Sequence, residues 1–441
     1  MSILLAVAAH AAAVASVQPQ TVPPQNDDIW YVIRRGDTLY GLSRSFLVPE
    51  RRWEALLRLA AIRDPKRLPA GRKLRIPRAW LRFKVEPARL AGYRGTVSLA
   101  ISGRATAPSA GMAIGEGAEI ATAGNSFATL MLADRSQVVI PSQSRVRVRE
   151  LRRILLTGAI DYRIDVEQGR LETRVTPLEQ PSGRYQIRTP ISMTAVRGTE
   201  FRVSFEDEHR AAATEVLAGT VTFSPSESET GLRLERSFGA TLDREGGSRT
   251  EKLLAAPDLA DPPAVQTKDA VEFRVRKLEG SLRYRAVIAS DAGFIDNIAE
   301  QFSDDGAFAL ADIPNGNLFV RVSAIAPSGL EGMAQAYSFR RRLASIRGSV
   351  EPQDDGYRFR WAGAGGGVRR YRFQLRRETP QGALVVDEVA LARDALTLRR
   401  LKAGVYYWRV GLAQLEDGEL TESWTEPEKL TVTDPSRSPR G

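Results

Sequence analysis

Arg145-Val146-Arg147-Val148-Arg149 alternates a guanidinium with a β-branched apolar side chain at every step, and Tyr357-Arg358-Phe359-Arg360-Trp361 repeats the pattern with aromatic residues. Successive side chains of an extended strand point to opposite faces, so a period of two reads as a strand with one apolar face and one wet, Arg-rich face. Outward from Arg145, strand-like runs recur at 129–132, 137–140, 171–175, 185–189, 199–205, 213–217 and 220–223, separated by Gly, Pro, Asn or Asp turns. Strands spaced about 8–12 residues apart point to an all-β sandwich, barrel or roll. No helix of crossover length intervenes, which argues against a doubly wound α/β enzyme core.

The 441 residues suffice for about three domains of roughly 150 residues each, and more if the modules are small. Lys and Arg number 63 against 53 Asp and Glu, a net charge of +10 that is spread along the chain. Nucleic-acid readers gather their basic residues on one recognisable element. No such element stands out, so the arginines are expected to be solvated sheet faces, with no nucleic acid among the partners. The chain has no cysteine, which excludes a disulfide framework, a thiol nucleophile and a Cys-based metal site. Residues 3–15 are apolar or small apart from His10 and end in Ala13-Val14-Ala15 before Ser16, a small-x-small cleavage pattern. The run is shorter than the about 20 apolar residues of a membrane span. The expectation is a secretory signal peptide over 1–15, a periplasmic or secreted, cell-wall-associated mature chain, and no transmembrane segment.

Residues 16–29, rich in Gln, Pro and Asp, read as a linker. From Trp30 the pattern becomes strand, helix, helix, strand and closes at Leu74-Arg75-Ile76-Pro77. Gly36 can adopt a turn backbone closed to other residues, and Asp37 or Thr38 can cap the helix that follows. Tyr31 to Ser43, then Trp53-Glu54-Ala55-Leu56, then Leu68-Pro69-Ala70-Gly71-Arg72-Lys73 through Pro77 together resemble the LysM family over nearly its complete module. The resemblance implies a βααβ fold over 30–78 and binding of glycans containing N-acetylglucosamine, as in peptidoglycan. It also implies a groove formed by Gly36, Asp37, Thr38, Leu39 and Tyr40 facing Ile62, Arg63 and Asp64. The family often has Asn after the second helix, where this chain has Ala60-Ala61.

Thr189-Pro190, a spacer, then Val196-Arg197-Gly198-Thr199-Glu200-Phe201 resembles the signature of the FecR domain, and Gly115–Thr122 and Ala133–Ser136 fit the same family. The resemblance implies a FecR-like β-domain over 88–250. Members include periplasmic halves of transmembrane regulators, but no apolar run of membrane length is found here. The expectation is therefore a binding or sensing module and not a direct anti-sigma factor. Arg197 and Glu200 are expected to pair across a bend at Gly198.

A second linker, 251–264, precedes two related stretches, 265–345 and 346–434, and a tail at 435–441 rich in Ser, Pro and Arg. Each stretch has a Gly-marked corner before a strong β run: Asn315-Gly316 before 318–322, and Ala403-Gly404 before 405–410. Trp361, with Leu401 and Tyr407, resembles the inner Trp and tyrosine corner of fibronectin type III modules. In the first stretch Phe319 stands where the corner Tyr would be.

An enzyme would have to work with His209 as its one histidine after the leader and with no cysteine. A zinc site built on His is excluded by count, and the plentiful carboxylates form no catalytic motif. The expected protein is thus multidomain, mainly β and non-enzymatic, with no cofactor and no metal. It would bind peptidoglycan and an unknown envelope protein partner. A sensory subunit beside a separate transmembrane sigma or anti-sigma regulator is the alternative, and a peptidoglycan-cleaving enzyme a third.

Overall fold

The structure, a computed structural model, describes residues 28–59, 62, 64, 68–208, 210–226, 231–416 and 418–433. The proposed leader at 1–15, most of the 16–29 linker, Ala60, Ala61, Arg63, His209 and the tail at 435–441 lie outside the described residues. The chain is mainly β, with two short α-helices near its amino end. It divides into two compact units. The first comprises 1–255 with 280–282 and 324–333, and the second comprises 256–279, 283–323 and 334–441.

The first unit begins with strand β1 (Asp28–Val32), helices α1 (Leu39–Phe46) and α2 (Trp53–Leu59), and strand β2 (Lys73–Pro77), with β1 and β2 antiparallel. Period-two alternation turns Ile29 and Tyr31 inward with Leu74 and Ile76, and leaves Trp30 and Val32 exposed. This small core is shared: Ile154 and Leu156, from a later hairpin, complete it beside Leu39, Leu42, Leu56 and Ile62. The chain leaving β2 strengthens the joint. Val48 N donates to Trp80 O at 2.8 Å, Arg82 N to Phe46 O at 2.7 Å, and Leu155 N to Arg82 O at 3.1 Å. The βααβ element is therefore built onto its neighbour and is not a bead on a free string.

That neighbour is a closed network of 18 hydrogen-bonded strands running from Phe83–Val85 to Ser248–Lys252. One strand, Ile160–Arg174, serves two sheets. Its first part pairs antiparallel with Arg145–Ile154 and parallel with Arg184–Arg188. Its last part, from Gly169, pairs with Glu200–Glu206 and then with Gln137–Ile140. Inward-facing Tyr162, Ile164, Val166, Leu171, Phe201 and Val203 join both sheets in one apolar core.

The wet face of Arg145–Ile154 differs from the solvated surface expected. Arg147 reaches Glu119 and Glu167, each at 2.8 Å, Arg152 reaches Glu116 at 2.7 Å, Arg153 reaches Glu86 at 2.8 Å, and Arg149 pairs with Asp165. Most of these partners come from neighbouring strands, so the positive charge of this face is largely met by carboxylates.

In the second unit, one sheet runs Val265–Gln266, residues 334–341 of the strand Glu331–Arg341, residues 316–323 of the strand Gly316–Ile325, Arg283–Ala289 and Asn297–Ser303, beside the pair Val271–Arg274 and Ala307–Leu310. Phe319 packs against Val287, Ala289 and Phe294. Further along, a three-stranded sheet (Ile346–Gln353, Gly356–Gly363, Ala395–Arg399) and a five-stranded sheet centred on Val368–Arg377 and Gly404–Glu416 enclose an aromatic core. Phe359 lies 4.7 Å from Phe373 and 5.2 Å from Trp408. Trp361 is buried, its indole N–H donating to Arg393 O at 3.1 Å. The corner tyrosine is Tyr406, whose hydroxyl donates to Lys402 O at 2.8 Å, and not Tyr407. The strand's alternation decides this, turning Tyr406 and Trp408 into the core. Tyr406→Phe removes that one hydrogen bond and is expected to cost about 1 kcal/mol. Urea unfolding followed by the fluorescence of Trp361 and Trp408 checks it, and an unchanged midpoint would leave the corner without energetic weight.

Candidate glycan-binding site

The loop between β1 and α1 is organised by two side chains. Asp37 Oδ2 accepts from Arg34 N at 2.7 Å and from the Tyr31 hydroxyl at 2.8 Å. Burial, then this bond to Asp37, pushes the Tyr31 hydroxyl up to about 12. Thr38 takes the capping role: its Oγ1 accepts from Gly41 N at 3.0 Å, and its carbonyl receives Leu42 N at 2.9 Å. Asp37 therefore closes the turn while Thr38 starts the helix. Ile33 binds the facing loop through Ile33 N to Arg72 O at 3.0 Å and Gly71 N to Ile33 O at 2.8 Å.

The expected groove residues fall into distinct settings. Gly36, with φ +94°, Thr38 and Tyr40 are exposed, and Tyr40 keeps 61% of its surface open. Leu39 and Ile62 are buried together in the small core, so they brace the loops and offer a ligand backbone groups only. Asp37 is half-buried with its carboxylate engaged, and Asp64 is exposed. Arg63 lies outside the described residues. What remains for a ligand is a shallow surface of peptide groups, a hydroxyl and one aromatic ring, the set that acetamido groups and sugar faces require.

The stretch from Thr189 to Phe201 has a different character. Thr189 and Ser192 close the hairpin between Arg184–Arg188 and Ser192–Val196: Thr189 N donates to Ser192 O and Ser192 N to Thr189 Oγ1, both at 2.9 Å. Gly198 has φ +92°, and a Cβ there would lie 2.6 Å from Pro177 Cα, so no larger residue fits. The expected Arg197–Glu200 pair does not form. Glu200 pairs with Arg174 at 3.2 Å, while Arg197 is exposed with no ion-pair partner among the described residues. The strand turn puts Glu200 on the ladder beside Arg174 and leaves Arg197 at the bend. Near Pro177, the turns around Asp134, Arg135, Gly158 and Glu179 line a cavity of about 450 Å³.

Among the described residues no group of three or more His, Cys, Asp or Glu could hold a metal ion, and no helix is long and apolar enough to cross a membrane.

The comparisons fit these two stretches. A LysM domain model matches residues 31–77, and a FecR protein model matches residues 118–222. No curated protein matches the chain. Among solved structures, a candidate anti-sigma factor from Parabacteroides distasonis is 18% identical, with a TM-score of 0.26, over 30% of this chain and 59% of its own length. A two-domain fibronectin type III segment of chicken tenascin is 16% identical, with a TM-score of 0.20, over 42% of this chain and 100% of its own. The chain thus spans 59% of the length of the first of these. The chain thus carries a LysM match at 31–77 and a FecR match at 118–222, ahead of a carboxyl-terminal β-sandwich built around Trp361 and Tyr406.

Proposed function

We propose that this chain is a non-catalytic, periplasmic or cell-wall-associated protein. Its LysM domain, at 30–78, would hold peptidoglycan through the surface of Gly36, Thr38 and Tyr40, with the peptide groups of Leu39 and Ile62 and with Asp37 and Asp64 at its border. The observation that carries this reading is the LysM match over 31–77, joined to a helix-capping loop that leaves Thr38 and Tyr40 open to solvent. The FecR-like domain at 88–250 and the modules at 265–345 and 346–434 then present surfaces to an envelope protein. Holding the LysM core and the hairpin around Ile154 as one body supports this arrangement, because the glycan anchor would position the FecR-like domain directly.

Co-sedimentation of the full chain with purified peptidoglycan tests the anchor. The wild type is expected in the pellet. Tyr40→Ala, a change at an exposed ring that leaves the core untouched, is expected to raise the apparent Kd about tenfold, equal to about 1.4 kcal/mol. Wild-type protein that stays in the supernatant would remove the anchor from the reading. Release of soluble glycan fragments in the same tube would replace binding with cleavage.

A further inference from the structure

The first part of the strand Ile160–Arg174 pairs parallel with Arg184–Arg188, so residues 175–183 must carry the chain from the far end of one strand back to the start of the next. Parallel neighbours ordinarily need a connection of about a dozen residues or more, usually a helix. This shorter connection, with Pro177, Pro181 and Gly183, forms neither helix nor strand. It spans its gap without filling it. Between this return loop and the turns at 133–135 and 158–160 lies the cavity of about 450 Å³.

The walls of this cavity are tied in place. Val175 N donates to Thr199 O at 2.8 Å, and Gly183 N to Gln180 O at 2.9 Å. Thr176 N donates to Ser136 Oγ at 3.0 Å, and that hydroxyl in turn donates to Asp134 Oδ2 at 2.8 Å, joining the return loop to the facing turn. Gly198 lies so close to Pro177 that a Cβ there would stand 2.6 Å from Pro177 Cα. The Gly198-Thr199 step of the FecR signature therefore braces one wall of the cavity.

Four charged residues line the cavity, and two of them are spent on the protein itself. Asp134 accepts from Ser136 N at 3.0 Å and from the Ser136 hydroxyl. Arg153 donates to Glu86 and to Gly158 O, both at 2.8 Å. The other two, Arg135 and Glu179, are exposed and have no ion-pair partner among the described residues. Arg135 has φ +69°, a backbone conformation that glycine adopts at less cost, so a guanidinium is kept at this rim against local strain. The remaining lining includes Ile160, Pro177 and Leu178, which are apolar. A simple anion would be held by Arg135 and repelled by Glu179, and a simple cation the reverse. A ligand with both charges answers both, and the volume is that of a small-molecule site. We propose that this cavity binds a short zwitterionic peptide with small side chains, its carboxylate on Arg135, its ammonium group on Glu179 and its side chains against Pro177 and Leu178. The proposal stands on the FecR-like domain alone and draws nothing from the LysM surface.

Saturation-transfer NMR titration of the full chain with L-alanyl-L-alanine tests the site. Its N-acetylated form, which lacks the ammonium group, and its C-amidated form, which lacks the carboxylate, are the two comparisons. The free dipeptide is expected to bind about tenfold tighter than either blocked form. Arg135→Gln is expected to weaken the free dipeptide about tenfold and to bind it no better than the amide, while still preferring it to the acetylated form. Glu179→Gln is expected to do the reverse, losing only the preference over the acetylated form. A loss of fold would abolish both preferences together, so the two patterns report contact and not stability. No saturation transfer in the wild type, equal affinity for free and blocked dipeptides, or preferences unchanged in both variants would overturn the proposal.

Discussion

Glu331→Ala is expected to destabilise the first unit by about 3–5 kcal/mol, the cost of removing one partner from a buried ion pair. Glu331 is 2% exposed and Arg202 4%. Glu331 Oε1 accepts from Arg202 Nη1 and its Oε2 from Arg170 Nη1, both at 2.7 Å. Arg202 Nη2 also donates to the carbonyls of Glu331 and Gly332, at 2.6 and 2.5 Å. The remaining neighbour, Glu215, cannot take over. Its carboxylate is 3.8 Å from Arg202 Nε, it already accepts from Glu331 N at 3.1 Å, and burial raises its pKa above the usual carboxylate range. Truncating Glu331 thus strands a guanidinium in a site that excludes water. The exposed pair Arg372–Asp387, at 2.6 Å, is the control: Asp387→Ala should cost about 1 kcal/mol or less, because water screens both charges. Chemical unfolding of both variants by far-UV circular dichroism measures the contrast. Equal losses would mean that the Glu331 site is not dry.

How much of this could be read from the sequence depends on the range of the interaction. Period-two patterning is local, so the strands around Arg145, Tyr185, Phe201 and Tyr357 were visible, as was the capped helix after Gly36. The partner of each side chain is set by register, which couples residues far apart. Arg147 finds Glu119 and Glu167, and Arg202 finds Glu331, 129 residues away. For that reason the arginines looked solvated in sequence, and Arg197 seemed paired with the nearest carboxylate. The corner tyrosine missed by one position for a related reason: two adjacent tyrosines can be told apart only once the face of their strand is known. At the proposed glycan surface the motif names a loop, and only packing separates Leu39 and Ile62, which brace it, from Thr38 and Tyr40, which are open.

The same reasoning identifies the glycine on which the FecR-like domain turns. Gly169 lies where the strand Ile160–Arg174 passes from one sheet to the other, with φ +80°. A Cβ at this position would stand 2.4 Å from Gln143 O and 2.6 Å from Ser144 Cα, so the 141–144 turn would have to move. That turn is not free to yield. Ser144 N donates to Thr122 Oγ1 at 3.1 Å, and Ser144 Oγ accepts from Arg170 N at 2.9 Å. Gly169→Ala therefore combines left-handed backbone strain of about 1–2 kcal/mol with an overpacking cost of about 1–3 kcal/mol. The expected sum is about 2–5 kcal/mol. Gly117 separates the two contributions. Its φ is +81° but nothing lies within 4 Å of an added Cβ, so Gly117→Ala should cost the backbone part alone, about 1–2 kcal/mol. The domain's 18-strand network contains no tryptophan but buries Tyr162 and Tyr185 in edge contact at 6.2 Å, so near-ultraviolet circular dichroism of the tyrosines reports its unfolding in urea. If the two alanine variants lose equal stability, the turn at Ser144 gives way without cost, and the passage between the sheets is held by backbone conformation and not by close packing.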